Sequence, residues 1–177
     1  MMRSTTVIGV RRDGVTAIGA DGQMTLGESG TILKHTAKKV RRLAGGDVLS
    51  GFAGSVADAQ ALQDRFEKKL EQYKGNIRRA CVEFAKDWRS DKILRNFNAM
   101  MIVADKEAML LISGDGNVIE PDDGILGIGS GGAFATSAAR ALMRNTKLSA
   151  EQIARESLKI ASEICVYTND EVALETI

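Results

Sequence analysis

The sequence predicts an α+β fold in which two mainly antiparallel sheets lie face to face with helices layered outside them. Three observations carry that expectation. Apolar and turn signals come in the order strands, helix pair, strands, helix pair, strand, which is not strict β-α-β alternation. Each helical stretch has one apolar face recurring every three or four residues. A sheet-on-sheet stack with a helix pair on each outer side buries all of those faces at once.

The elements follow in order. Residues 5–11 read as a strand, Arg12-Asp13-Gly14 as a turn and 15–20 as the returning strand. Asp21-Gly22 closes it, and 27–36 reads as loop. Stretches 38–44 and 47–53 bracket Gly45-Gly46, a two-residue hairpin connection that tolerates positive φ. Ser55 has N-cap chemistry, with Asp58 near the positive end of the helix dipole and Ala59, Leu62, Phe66 and Leu70 on one face. Gly75-Asn76 ends this helix and caps a second, whose apolar side carries Ile77, Ala80, Cys81, Phe84 and Trp88. Strands are expected at 99–104, 108–113, 117–120 and 124–129, and a helix at 133–144. Ser149 to Gln152 has capping-box spacing and opens a helix running to about residue 167. Residues 171–177 alternate as a last strand.

With 177 residues, 44% hydrophobic and 27% charged, the chain is of single-domain size with a core of its own, expected over 5–177. A net charge of +1 supplies no global field toward nucleic acid or an anionic membrane. No apolar run reaches the length of a membrane span. The two cysteines, Cys81 and Cys165, form no zinc or CxxC pattern; with no secretory signal the expectation is a thiol-reducing, cytoplasmic setting.

The glycine run Gly127-Ile128-Gly129-Ser130-Gly131-Gly132 fits GxGxxG between a strand and a helix. A dinucleotide fold would then need a second strand ending in an acidic residue about 20 residues on. Another helix begins at Ser149 instead, so the glycines are read as sites of close backbone approach. There is no GxxxxGK[ST] motif for ATP hydrolysis. The cluster Lys38-Lys39-Val40-Arg41-Arg42 lacks the interleaved aromatics of a nucleic-acid surface. His35 is the single histidine, which leaves a Ser-His-Asp triad without a second candidate.

Thr5 carries the chemistry. A threonine hydroxyl is a poor nucleophile without a base, and an N-terminal threonine brings one: its own α-amine. That amine has an ordinary pKa of roughly 7.7–8.0, and a nearby lysine cation lowers it. Inside a longer chain the same nitrogen is an amide with no basicity. Residues 1–4, MMRS, are therefore expected to be a leader, removed by cleavage between Ser4 and Thr5.

The motifs TTVIGVRRDG, GADGQMTLG, KKVRRL, SGFAGSVADA, AKDWRSDKILR, GIGSGG and EICVYTND, in that order from Thr5 almost to Ile177, resemble the HslV (ClpQ) family of bacterial proteasome-like peptidases. The resemblance implies an N-terminal-nucleophile hydrolase fold, a four-layer α-β-β-α sandwich. By motif, Thr5 resembles the family's nucleophile, Asp21 and Lys39 the charged pair supporting it, Ser130 the serine near the terminal amine, and Gly51 the residue whose N–H faces the oxyanion. A structural cation, sodium or divalent, is implied on the carbonyls of Ser162, Cys165 and Thr168; many members have glycine where this chain has Ser162. No cofactor for catalysis is implied. The family's partner is an HslU-type AAA+ unfoldase, which uses the ATP, and its assembly is a dodecamer of two stacked six-membered rings enclosing a chamber for unfolded polypeptide. The expected activity is that of a threonine endopeptidase. The alternatives are a self-processing amidase for a small molecule on the same fold and an inactive ring or scaffold subunit.

Overall fold

The computed structural model describes residues 5–27 and 29–177. The leader expected at residues 1–4 lies outside them. Two sheets dominate. The first has strand order β10-β1-β2-β11, formed by β1 (Thr6–Arg12), β2 (Val15–Asp21), β10 (Ile125–Gly129) and β11 (Val172–Thr176). The second has order β5-β6-β7-β8-β9, formed by β5 (Val40–Leu43), β6 (Val48–Ala53), β7 (Met100–Ala104), β8 (Met109–Ser113) and β9 (Val118–Ile119). Every strand pair in both is antiparallel.

The helices are α1 (Val56–Gln72), α2 (Ile77–Ser90), α3 (Gly132–Asn145) and α4 (Ala150–Ile164). Ser55 accepts from the Asp58 N–H and Asn76 from the Arg79 N–H, so both expected caps form. Ser149 and Gln152 make the reciprocal capping box, although α4 stops at Ile164, three residues short of expectation.

Three apolar clusters define the layering. Phe66, Phe84, Trp88 and their neighbours pack α1 and α2 on one face of the five-stranded sheet. Val7, Ile18, Leu49, Ile102 and Ile128 fill the space between the sheets. Ile8, Val10, Ile153 and Leu158, among a run of alanines, pack α3 and α4 on the outer face of the four-stranded sheet. The result is the expected four-layer α-β-β-α sandwich.

Two local expectations change. Residues 27–36 are not plain loop: β3 (Met24–Leu26) and β4 (Thr31–Lys34) form a separate two-stranded hairpin. All four residues of β4 are exposed, so no apolar alternation marked it. The link between β5 and β6 is a three-residue 3-10 turn over Ala44–Gly46, with φ of 51° at Ala44, and not the two-residue connection. No helix among the described residues is long and apolar enough to cross a membrane.

Candidate active site

β1 and β2 are neighbours, and their register brings the start of one beside the end of the other: Val7 pairs with Ala20. Thr5 and Thr6 therefore stand next to Asp21. Asp21 is fully buried, and a buried carboxylate needs donors on its lone pairs. Its Oδ1 accepts from the Thr6 N–H and the Lys39 ammonium, each at 2.8 Å. Its Oδ2 accepts from the Gln23 N–H at 2.9 Å and the Asn169 N–H at 3.4 Å.

Lys39 enters from the segment just before β5, so the ion pair joins the two sheets. Its ammonium also donates to the Gln23 carbonyl at 2.6 Å. Burial pushes the Lys39 pKa below its ordinary value, while the charge of Asp21 and its hydrogen bond oppose that shift. Burial and the Asp21 partner thus act on the Lys39 ammonium in opposite directions, with burial the larger.

The glycine run after β10 supplies the other wall. The Thr5 carbonyl accepts from the Ser130 N–H at 2.9 Å and from Ser130 Oγ at 3.3 Å. The Gly131 N–H donates to Thr6 Oγ1 at 3.0 Å, and that hydroxyl pairs with Thr168 Oγ1 at 2.7 Å. Gly129 has a φ of 89°, and a Cβ there would be driven into the Thr5 carbonyl oxygen. At Gly131 a Cβ would strike Thr6 Oγ1. The close approach expected of these glycines is made to the chain's own Thr5-Thr6 pair.

Thr5 and Lys39 line one cavity of about 280 Å³. Met24, Ala37, Phe52 and Ala59 give it apolar walls, Gln63 and Thr25 polar ones, and Lys34, Lys38 and Arg41 add cations. The structure brings Thr5, Asp21, Lys39 and Ser130 together, but not Gly51. Gly51 sits within β6, paired with Val40 and Ile102, and a Cβ on it would lie 2.5 Å from Val7 Cγ1, between the sheets. The glycine on the cavity wall is Gly54, three residues later, at the turn into α1 with a φ of 151°. The repeated glycines of SGFAG offered no sequence signal to choose between them.

Ser162, Cys165 and Thr168 lie at and just beyond the end of α4. Thr168 donates its N–H to the Cys165 carbonyl at 3.0 Å, and Cys165 caps the helix. Among the described residues, no group of three or more His, Cys, Asp or Glu side chains is placed to hold a metal. Any cation here would rest on main-chain oxygens. Carbonyls in the last helical turn lack helical partners and sit at the negative end of the dipole, and a hard cation suits such oxygens. Sequence reasoning missed Thr6, Gln23 and Asn169 as parts of the site, because their contacts to Thr168, Val166, Gly22 and His35 are set by the fold.

Comparison with known proteins agrees over the whole chain. The family model described as proteasome subunit matches residues 1–177. The ATP-dependent protease subunit HslV of Aquifex aeolicus is 57% identical over 99% of each chain. The protein of the same name from Caldanaerobacter subterraneus subsp. tengcongensis is 58% identical over the full length of both. Among solved structures, eukaryotic HslV from Trypanosoma brucei superposes with a TM-score of 0.92 at 44% identity, covering 97% of this chain and 98% of that one. Thiobacillus denitrificans BPH shares the fold, with a TM-score of 0.74 at 21% identity over 97% of each chain.

Proposed function

The chain belongs to the proteasome family, and from that premise we propose that it is the proteolytic subunit of an ATP-dependent protease, a threonine endopeptidase acting on unfolded polypeptide. The observation that carries this reading is the placement of Thr5 on the wall of the cavity that Lys39 also lines, with Lys39 paired to the buried Asp21.

In this reading Thr5 Oγ attacks the scissile carbonyl, and the Thr5 α-amine, directly or through a water, takes the hydroxyl proton. The Lys39 cation lowers the pKa of that amine and stabilises the developing alkoxide, and Asp21 keeps the lysine charged and oriented. Ser130, whose N–H and hydroxyl both donate to the Thr5 carbonyl, is the candidate for the serine beside that amine. A backbone N–H on the cavity wall would receive the oxyanion, and Gly54, which lines the cavity, is the candidate in this reading in place of Gly51. The amine then returns its proton to the leaving nitrogen, an ester joins Thr5 to the acyl half, and water hydrolyses it. The apolar walls accept an apolar side chain next to the scissile bond.

The remaining parts follow from the relatives. Both curated relatives are named as subunits of an ATP-dependent protease, and this sequence has no nucleotide motif, so a separate HslU-type AAA+ ATPase would deliver the substrate. The assembly would be two stacked six-membered rings, in a thiol-reducing cytoplasm. A sodium or divalent ion on the carbonyls of Ser162, Cys165 and Thr168 would hold the loop beyond α4; its part is structural.

The test takes three forms of the assembled protein, each with its N-terminus verified by mass, and a fluorogenic peptide. Thr5→Ala abolishes hydrolysis with the ring mass unchanged, and Thr5→Ser keeps part of it. A form in which a preceding residue still acylates the Thr5 nitrogen is silent, because the base is lost. Normal turnover by Thr5→Ala, or equal rates from the acylated form, overturns the mechanism.

A further inference from the structure

Asn169 lies in the loop between α4 and β11, and its whole side chain is spent on one task. Its Oδ1 accepts from the Gly22 N–H at 3.0 Å, and its Nδ2 donates to the His35 carbonyl at 2.9 Å. Gly22 and His35 are the two ends of the segment that contains the β3–β4 hairpin. The Ala37 N–H closes the same base by donating to the Gly22 carbonyl at 2.9 Å. The two ends approach so closely that a Cβ on Gly22 would run into the His35 carbonyl oxygen. The main-chain N–H of Asn169 reaches Asp21 Oδ2 at 3.4 Å.

The turn held in this way is the one that places the lysine. The Lys39 ammonium donates to Asp21 Oδ1 and to the Gln23 carbonyl, one residue on each side of Gly22. Gln23 is tied to the same loop, since its Nε2 donates to the Val166 carbonyl at 2.9 Å. We propose that Asn169 is a positioning residue for the hydrolytic reaction: it clamps the Asp21-Gly22-Gln23 turn to the His35 segment and so fixes the Lys39 ammonium relative to Thr5. It touches neither substrate nor the reacting atoms, and a shift of about an ångström in such a group costs on the order of a hundredfold in rate. The hairpin above the clamp also carries Met24 and Lys34 on the cavity wall, so a purely architectural role would act on substrate binding.

That difference is what the experiment reads, and it rests on the reading of Thr5 and Lys39 given above. In the assembled enzyme with a verified Thr5 terminus, Asn169→Ala lowers kcat by about tenfold to a hundredfold and leaves KM nearly unchanged. Asn169→Asp, which keeps an acceptor for the Gly22 N–H and loses the donor to the His35 carbonyl, recovers part of kcat; it is also the variant to read if the alanine form fails to assemble. In a Lys39→Ala background, Asn169→Ala adds less than about a twofold loss, because both act through the same ammonium. A raised KM with unchanged kcat, full additivity with Lys39→Ala, or normal kinetics in both Asn169 variants overturns the proposal. Activity surviving in Thr5→Ala instead marks failure of the underlying reading.

Discussion

The two helical layers bury their faces with different material. α1 and α2 use rings: Phe66 and Phe84 meet edge to face with centroids 5.5 Å apart, and Phe84 and Trp88 are 5.6 Å apart. α3 and α4 use methyl groups, with Ala135, Ala139, Ala150, Ala154 and Ala161 all buried. Rings bury much apolar area and hold a helix away from its sheet. Methyl groups bury less, and Gly19 of β2 makes room for Leu158 of α4: a Cβ on it would lie only 2.9 Å from Leu158 Cδ1. The alanine layer is the one that ends in the loop carrying Thr168 and Asn169. The contrast predicts that the aromatic layer, although α1 lends Ala59 and Gln63 to the cavity wall, acts mainly on stability and the alanine layer mainly on position.

The strongest way to break that contrast is Trp88→Ala. Trp88 is fully buried, and its indole N–H donates to the Leu94 carbonyl at 3.0 Å, so truncation leaves a cavity and removes one of two hydrogen bonds on that carbonyl, the other coming from the Phe97 N–H at 2.8 Å. The expected loss is about 3–5 kcal/mol by denaturant unfolding. The kcat of the fraction that still assembles should stay close to the parent value. A collapse of kcat in correctly assembled protein would show that the aromatic layer also positions the site.

Next comes the bridge between the layers. Lys39→Ala should lower kcat by at least about a hundredfold, the scale of losing one electrostatic contributor. Lys38→Ala should be mild: Lys38 also lines the cavity, but it is exposed where the Lys39 side chain is nearly buried against Asp21. Similar losses from the two would replace a specific ion pair with a general basic surface.

The smallest effect in free energy is the most informative. Ala154→Leu forces extra methylenes into the alanine layer and should cost about 1–3 kcal/mol of stability, less than Trp88→Ala. Its kcat should nevertheless fall more, because α4 must move and its far end carries the loop that holds Thr6 and Asp21. Unfolding midpoints and single-turnover rates on both variants decide whether the ordering crosses.

Much of this architecture was legible before the structure. Ser55, Asn76 and Ser149 announced three helices through local cap chemistry, and the strand runs between them set the layers. The exposed β4 was not legible, because its pairing with β3 leaves no apolar imprint. The charged pair was named through motifs; its depth was not, since the donors to Asp21 come from residues as far apart in sequence as Thr6 and Asn169. Gly51 and Gly54 are alike on paper. The fold separates them: Val7 packs against Gly51 inside the strand ladder, while Gly54 turns with a positive φ on the cavity wall.

The anchors on Thr5 and Thr6 described above all lie on the carboxyl side of the Thr5 nitrogen: the Thr5 carbonyl on Ser130, the Thr6 N–H on Asp21, the Thr6 hydroxyl on Gly131 and Thr168. If the bond before Thr5 is cut as proposed, these main-chain and Thr6 restraints, formed during folding, lie outside the bond that breaks. In the proposed reading, these restraints need no new conformational search on switching on. Turnover should rise in step with the new terminus, without a lag, and the temperature dependence of its onset should be that of one covalent event.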